Sequence, residues 1–523
     1  MTWSSRDLRL GLVALLMTAP AVCSVTARAQ SDVAFSPDVY AARRERLLSR
    51  THGAAVVIAG RYLINPGDEL TKQDPDFWYL TGVESPYAIL VVTASRDGRA
   101  VATLFLPAPL QFAGGQFPMD EPAFRSAPWN RPRQRLAPGD AARRATGVDA
   151  TYPLADFAER VRSLLGDSPV VYTPEGETLF APAGLAAPAD MRRQFRTALQ
   201  PLVPRAELRD LSPLVEALRL IKDRHEIEAL RQAAVISGRG MIEGMRATRA
   251  GMNDRELAGL MEYVWKREGS TRSAFPPIVA SGEHAMTFFT LLREQYNAVD
   301  RVMKDGDLVF VDYGAAEFRT YTTDLCRTWP VSGKFSPLQR RYYDIVLEAQ
   351  EAAIAAIRPD VLMLDVIKAA ARVFERHGLE RYEDIAIMGA DRVWGIMPSP
   401  THYLARDAGI VRYNSFGRGV RDLGHHIGLE VQDSRDYSMP LAPGMVVTIE
   451  PKLYIPELNV AIMIEDMILV TESGHENLSA ALPKRAREIE QVMSNGRRAN
   501  AWRPAGVRPH TASPAARRAP PIR

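Results

Sequence analysis

Five residues in the second half of the chain carry the side chains best suited to chemistry: Asp312, Asp324, His425, Glu450 and Glu465. Four carboxylates and an imidazole converging on one pocket would repel and protonate unless cations neutralised them, so their convergence would mark a cage for divalent metal ions. The local contexts favour it. Asp307-Leu-Val-Phe-Val-Asp312-Tyr-Gly314 reads as an apolar strand that delivers one acid and then turns. Tyr321-Thr-Thr-Asp324-Leu-Cys326-Arg-Thr-Trp-Pro330 reads as the strand that returns with a second. Side chains on one face of such a hairpin lie about 5 Å apart. Taken alone, this motif leaves a hairpin with solvent-facing acids equally open.

A second pair of segments changes the balance. Val446-Val-Thr-Ile-Glu450-Pro451 and Ile462-Met-Ile-Glu465-Asp466-Met-Ile-Leu-Val470 each set an acid inside an otherwise apolar strand. An isolated buried carboxylate is costly unless paired or ligated, so four embedded acids argue for a shared cation. Gly424-His425-His426-Ile-Gly428 adds an imidazole among small residues, where a metal could approach closely.

The elements that must position these groups fall into two organisations. Residues 36 to about 205 alternate strand-like runs (Ala54–Ala59, Ala88–Thr93, Val101–Leu106) with helix signals (Val39–Leu48, Asp156–Leu165), which predicts one α/β domain over 36–210. A second domain is predicted over 211–490. It opens with helical patterns from Ser212-Pro213 to about Thr248 and again over 254–268, where Asn253 is the expected cap, Glu256 its capping-box partner and Gly269 the stop. Strand candidates follow at Leu308–Val311, Tyr321–Cys326, Met445–Glu450 and Val460–Val470, with helices opened by Ser336-Pro337 and over 363–377 between them. Phe77 and Trp78 are read as packing residues of the first domain.

With 523 residues, 46% hydrophobic and 24% charged, the chain has the composition of a globular protein of two domains and excludes disordered, collagenous and membrane-bundle classes. Residues 1–29 stand apart: Arg6 and Arg9, an apolar run from Leu10 to Met17, then Ala27-Arg28-Ala29, the order of a cleavable secretory signal. The apolar run is too short to span a bilayer, so an exported, periplasmic or secreted protein without an integral span in the mature chain is expected. Cleavage there leaves Cys326 as the sole cysteine, read as a small core residue in an apolar strand. Seven arginines and no acids follow Gly496, so the net charge of +3 conceals an acidic body. The Arg-, Pro- and Ala-rich stretch 496–523 is expected to be a disordered, solvated tail rather than a nucleic-acid contact.

The order Asp, Asp, His, Glu, Glu, in the contexts Val-Asp-Tyr-Gly, Thr-Asp-Leu-Cys-Arg-Thr, Gly-His-His-Ile-Gly-Leu-Glu, Thr-Ile-Glu-Pro and Ile-Glu-Asp, resembles the pita-bread metallopeptidases. Within them it is most similar to the Xaa-Pro aminopeptidase (aminopeptidase P) and prolidase branch, whose N-terminal domain Asp74-Pro-Asp-Phe-Trp-Tyr-Leu-Thr-Gly82 also resembles. The resemblance implies an α/β N-terminal domain followed by an α+β pita-bread (creatinase/aminopeptidase-like) catalytic domain. It implies two divalent metal ions, manganese first and cobalt or zinc otherwise, held with a bridging hydroxide by Asp312, Asp324, His425, Glu450 and Glu465. Glu450 would also serve as the general base. The implied reaction is removal of an N-terminal residue that precedes proline, on a peptide substrate, by a homo-oligomer.

The chain departs from that pattern in places. Three substrate-side histidines of the family fall here on Phe289, Arg421 and Gln432, and Phe289 cannot hydrogen-bond substrate at all. His284, His402 and His426 are the histidines near enough in sequence to stand in. A family arginine two residues before the last glutamate is here Met463, and Lys452 stands where a glycine usually follows Glu-Pro, restoring some charge or crowding the site. The spacing from Asp312 to Asp324 is 12 positions, one more than usual, and a one-residue slip turns a side chain to the opposite face. A bulge or longer turn in Ala315–Thr320 is expected to absorb it. Three readings remain: a Xaa-Pro aminopeptidase, a hydrolase of another peptide, amide or ester, and a silent peptide- or protein-binding domain.

Overall fold

A computed structural model describes residues 34–61, 72–107, 136–176, 189–285, 299–379, 424–434, 437, 439–455 and 460–499. The expected signal segment, Phe289, His402, Arg421 and the stretch beyond Ala499 lie outside the described residues.

Strands β1 (Ala55–Ala59), β2 (Ile89–Ala94), β3 (Ala100–Leu106), β4 (Ala150–Pro153), β5 (Val170–Thr173) and β6 (Glu207–Asp210) form one sheet in the order β4-β3-β2-β1-β5-β6. β2 runs antiparallel to β1 and β3, and the remaining pairs are parallel. Side chains alternate between the two faces of a strand, and both faces here are covered. Val56 and Ile58 pack with Tyr40, Leu47 and Leu48 of helix Pro37–Arg50, while Ala55 and Val57 pack with Phe157, Val161 and Phe195 from helices Phe157–Leu165 and Met191–Leu199. Double-sided burial is why these strands read as unbroken apolar runs.

Helices Ser212–Leu220, Arg224–Ala247, Asp254–Arg267, Pro337–Ala356, Met363–Arg376 and Ala486–Ala499 follow. A capping box between Asp223 and Glu226 starts the second of these, and one between Ser336 and Gln339 starts the fourth. The capping box expected at Asn253 does not form: the Asn253 side chain accepts from the Arg255 N–H and donates to Asp300 at 2.9 Å, leaving Glu256 out. The expected disordered tail also starts too early. The last helix continues through Gly496 to Ala499, and a Cβ at Gly496 would lie 2.6 Å from Arg246, so this helix packs there on the Arg224–Ala247 helix.

Around these helices lie β7 (Val279–Ser281), β8 (Leu308–Asp312), β9 (Glu317–Phe318), β10 (Tyr321–Thr322), β11 (Cys326–Pro330), β12 (Val446–Ile449), β13 (Lys452–Ile455), β14 (Val460–Met463), β15 (Asp466–Thr471) and β16 (Gly474–Asn477). They pair as β11-β8-β7, β10-β9, β12-β15-β16 and β13-β14. Two runs expected to be continuous strands are broken. Tyr321–Cys326 stops after Thr322 and resumes at Cys326, and Val460–Val470 is interrupted at Ile464 and Glu465. The candidate acids Asp324 and Glu465 sit in those breaks. The backbone there is not wasted: the Glu465 N–H donates to the Cys326 carbonyl at 3.0 Å, and the buried Arg327 guanidinium donates to the carbonyls of Cys326 and Glu465.

The N-terminal sheet region and the helices after it share one apolar core, and ion pairs add to it. Arg219 Nη1 lies 2.6 Å from Asp76 and its Nη2 2.5 Å from Asp433, and Lys222 Nζ lies 3.0 Å from Asp433. Arg192 reaches Asp74 and Asp76. Phe77 and Trp78 are buried as expected, and the Trp78 ring meets Tyr321 edge-on at 5.9 Å. No helix among the described residues is long and apolar enough to cross a membrane.

Candidate metal centre

Strand registers bring the acids together. β8 and β11 pair Asp312 with Cys326, and β9 and β10 pair Glu317 with Thr322. Between these two pairs, Tyr313–Ala316 on one limb faces Thr323–Leu325 on the other, so the outgoing limb holds one residue more. The Arg319-Thr320 turn, with both φ values positive, closes the hairpin. The extra residue is thereby absorbed as a bulge, and Asp324, two residues before Cys326, stays buried on the Asp312 side. Gly314 makes the crossing possible, because a Cβ there would come within 2.6 Å of the Leu325 carbonyl.

The second pair follows the same logic. Ile449 pairs with Asp466 in β12–β15, and Lys452 pairs with Met463 in β13–β14. Both registers extrapolate to Glu450 opposite Glu465, in the gap where neither ladder continues. β14 docks on β11, with the Thr328 hydroxyl taking the Met463 N–H at 3.0 Å and donating to its carbonyl at 3.2 Å.

His425 completes the group. Its Nε2 is 3.2 Å from Asp324 Oδ2 and 3.6 Å from Glu450 Oε1, while Nδ1 lies 3.2 Å from the His426 carbonyl. A proton on Nδ1 satisfies that carbonyl and leaves Nε2 with a free lone pair, the tautomer a metal-binding histidine uses. Thr448 links this residue to the next acid: its hydroxyl accepts the His425 N–H at 3.1 Å and lies 3.5 Å from Glu450 Oε1. The flanking glycines serve the backbone rather than the metal's approach. A Cβ at Gly424 would lie 1.9 Å from the Thr448 carbonyl, and one at Gly428 2.3 Å from Asp433.

The electrostatics are those of too many anions. Burial first, then the charge of Asp324, pushes Asp312 well above the usual carboxylate range. Burial, then Asp324, Glu450 and Asp312, does the same to Glu465. Burial disfavours a charged His425, but the Asp324 hydrogen bond and the Glu450 and Asp324 charges outweigh it and raise its pKa. Asp324 Oδ1 and both Glu465 oxygens are buried without a hydrogen-bond partner. Donor atoms of Asp324, His425 and Glu465 all lie within 4.8 Å of one another. Partnerless buried oxygens around an imidazole lone pair fit a divalent cation.

Of the substrate-side positions, Gln432 is described. It is half-buried in a turn next to Asp433, whose carboxylate is held by Arg219 and Lys222. His426 is buried and stacks on Tyr437, with centroids 5.2 Å apart, and His284 is half-buried near the end of β7. Cys326 is fully buried with Phe310 and Met463, as expected of a core residue. The sequence reading missed several supports. Arg327 and Asp466 form a fully buried pair at 2.7 Å that Lys484 completes, and both stood within the motifs quoted. Gln350 donates to the carbonyls of Ile449 and Ile464, each just before a cage glutamate, from the middle of a helix with no local signal.

Comparisons with known proteins bear on the same residues. Residues 228–472 match the metallopeptidase family M24, and residues 40–172 match the aminopeptidase P N-terminal domain. The chain is 31% identical over 477 residues to a protein of Escherichia coli (strain K12) named Xaa-Pro aminopeptidase, covering 87% of this chain and 97% of the relative. Among solved structures, a histidine-to-alanine variant of Escherichia coli aminopeptidase P is similar with a TM-score of 0.70 at 28% identity, over 89% of this chain and 99% of that one. Zinc-substituted Escherichia coli aminopeptidase P in complex with product is similar with a TM-score of 0.69 at 28% identity, over 88% and 99%.

Proposed function

The chain belongs to the M24 family of metallopeptidases, among its Xaa-Pro aminopeptidases, and from that premise we propose that it hydrolyses the N-terminal Xaa-Pro bond of peptides with two divalent metal ions, preferentially manganese. Asp312, Asp324, His425, Glu450 and Glu465 would hold the ions. The observation that carries this reading is the set of partnerless buried oxygens on Asp324 and Glu465 beside His425 Nε2. When bound, the ions neutralise the carboxylates, polarise the scissile carbonyl and lower the pKa of the attacking water.

The chain's own groups do the rest. The His426 carbonyl fixes the His425 ring through Nδ1. Thr448 and Lys452 fix the Glu450 carboxylate from two sides, Lys452 Nζ lying 2.7 Å from Oε2. Oε1, on the His425 side, is then the oxygen that takes a proton from the attacking water and returns it to the departing proline nitrogen. Export follows from the Arg6, Arg9 and apolar order of residues 1–29 and is part of the same proposal.

A second reading, a metal hydrolase with another peptide, amide or ester substrate, rests on Phe289, Arg421 and Gln432 at the three histidine positions. One assay separates the two. The protein purified from residue 30 is analysed for bound metal and offered Xaa-Pro peptides and Xaa-Ala controls with added manganese. Proline-selective release of the first residue is the expected result. Metal with cleavage indifferent to proline favours the second reading, and metal-free, inert protein removes both.

A further inference from the structure

Two backbone limbs bring Asp324 and His425 into the candidate metal centre, and a short junction joins them. The Thr322 N–H and hydroxyl both donate to the Gly428 carbonyl, at 2.8 and 3.0 Å. Asp324 lies two residues beyond Thr322, and His425 three residues before Gly428. The junction therefore bears on how the two side chains meet, with His425 Nε2 3.2 Å from Asp324 Oδ2.

Farther from the ligands along each limb, the carbonyls of Thr320 and Leu429 both accept from Lys72 Nζ, Thr320 at 3.0 Å. Lys72 falls within residues 40–172, which match the aminopeptidase P N-terminal domain, whereas both carbonyls fall within residues 228–472, which match the metallopeptidase family. The same nitrogen lies 3.2 Å from Glu317 Oε2, and Arg272 Nε holds the other oxygen of that carboxylate at 3.0 Å. Three oxygens from a hairpin strand, its turn and the histidine loop thus face the three N–H groups of one ammonium. Without a cation between them, two carbonyl dipoles and a carboxylate would repel.

Lys72 is itself anchored. Its carbonyl accepts from Arg61 Nη1 at 2.8 Å, and the neighbouring buried Gln73 bonds the N–H groups of Arg61 and Asp74 and the Ser85 carbonyl. The turn it grips needs holding. Arg319 and Thr320 have φ of 50° and 67°, a region that is costly for a residue with a side chain and most of all for a β-branched one.

We propose that Lys72 is a positioning residue through which the N-terminal domain holds the Asp324 and His425 limbs in coordinating register. This rests on the metallopeptidase reading above and gives the N-terminal domain a part in it, exerted through Thr320 and Leu429 rather than on a ligand.

The test compares metal-free full-length wild type, Lys72→Met and Lys72→Arg by hydrogen exchange and then by Mn2+ titration followed by electron paramagnetic resonance. Lys72→Met keeps the stem without the donors. It should quicken exchange within residues 318–325 and 425–430, leave the β1–β2 pairing of the N-terminal sheet protected, and weaken Mn2+ binding about 10-fold. Lys72→Arg keeps charge and N–H donors and should stay close to wild type in both measurements. Should Lys72→Met fail to fold, Lys72→Gln takes its place with the same expectation. A lysine that merely stabilises the fold would lower the melting temperature and leave the Mn2+ affinity of the folded protein unchanged, and that result overturns the inference. Unchanged exchange in both segments overturns it too, as do equal losses in Lys72→Arg and Lys72→Met. Wild-type protein that takes up no Mn2+ is a different failure: it removes the metallopeptidase reading, and hydrogen exchange alone then judges the clamp.

Discussion

Two clusters of buried carboxylates in this molecule behave in opposite ways. In the cluster linking the N-terminal sheet region to the following helices, Asp433 is held by Arg219 and Lys222, and Asp76 by Arg219 and Arg192. Burial alone would raise both acids, but these cations hold them below the usual carboxylate range. In the candidate metal centre, burial of the same severity raises Asp312 and Glu465, because among the described residues four carboxylates share one ammonium. The contrast sharpens at adjacent residues. Asp466, paired with Arg327 and Lys484, is depressed, while Glu465 beside it is raised. Burial is common to both clusters, so the supply of cations decides. A cluster whose cations are all side chains is complete once folded, and one short of cations is built to receive them.

The comparison breaks most visibly if the two clusters respond alike to mutation. Glu450→Gln should lower kcat by on the order of 1,000-fold or more, read on an Xaa-Pro peptide, with melting within a few degrees of wild type. Full turnover in that variant would remove Glu450 as the base. Arg219→Ala should instead leave Asp76 and Asp433 buried with less compensation and cost about 3–5 kcal/mol in urea unfolding, while the folded fraction still binds Mn2+. A cost under about 1 kcal/mol would mean that the ionic cluster is not structural. Chelation separates the clusters again. Stripping metal held at 100 times its Kd should cost about 2.7 kcal/mol. Glu465→Gln should make stability insensitive to the chelator and Asp433→Asn should not.

Much of this contrast was legible in the sequence, and the illegible part has physical causes. The cage acids announced themselves because an acid in an apolar run is expensive, and the strands and helices around them followed from periodicity and from caps such as Ser336-Pro337. Strand continuity was overestimated at Asp324 and Glu465. A break is set by the partner strand's register, and no local pattern records that register. Asn253 misled because its side-chain oxygen takes the Arg255 N–H rather than that of Glu256, a one-residue choice that the sequence pattern does not record. Gln350 and Arg219 carried no signal, since each acts on groups more than 90 residues away. The bulge could be inferred from spacing alone because a single extra residue has few places to go.

A third kind of buried acid, between the two extremes, gives the most discriminating effect. Glu226 closes the capping box of the Arg224–Ala247 helix, accepting the Asp223 N–H at 3.0 Å on one oxygen and the Tyr321 hydroxyl at 3.0 Å on the other. Arg43 stands 3.4 Å away and also pairs with Asp223 at 3.0 Å, so its charge is shared. Burial outweighs that partial pairing and raises Glu226 from 4.5 to about 7. A raised carboxyl favours the protonated form in the folded state. Its contribution is therefore fully present below about pH 4.5 and is lost as pH rises through about 7. Glutamine is neutral throughout, so Glu226→Gln should flatten the pH dependence of stability by up to about 3 kcal/mol between pH 5 and pH 8. Urea unfolding of both proteins at the two pH values compares slopes rather than levels, which cancels the constant cost of disturbing Arg43. Parallel profiles would place Glu226 with the fully compensated carboxylates of Asp76 and Asp433, and the ranking of buried acids by cation supply would lose its middle member.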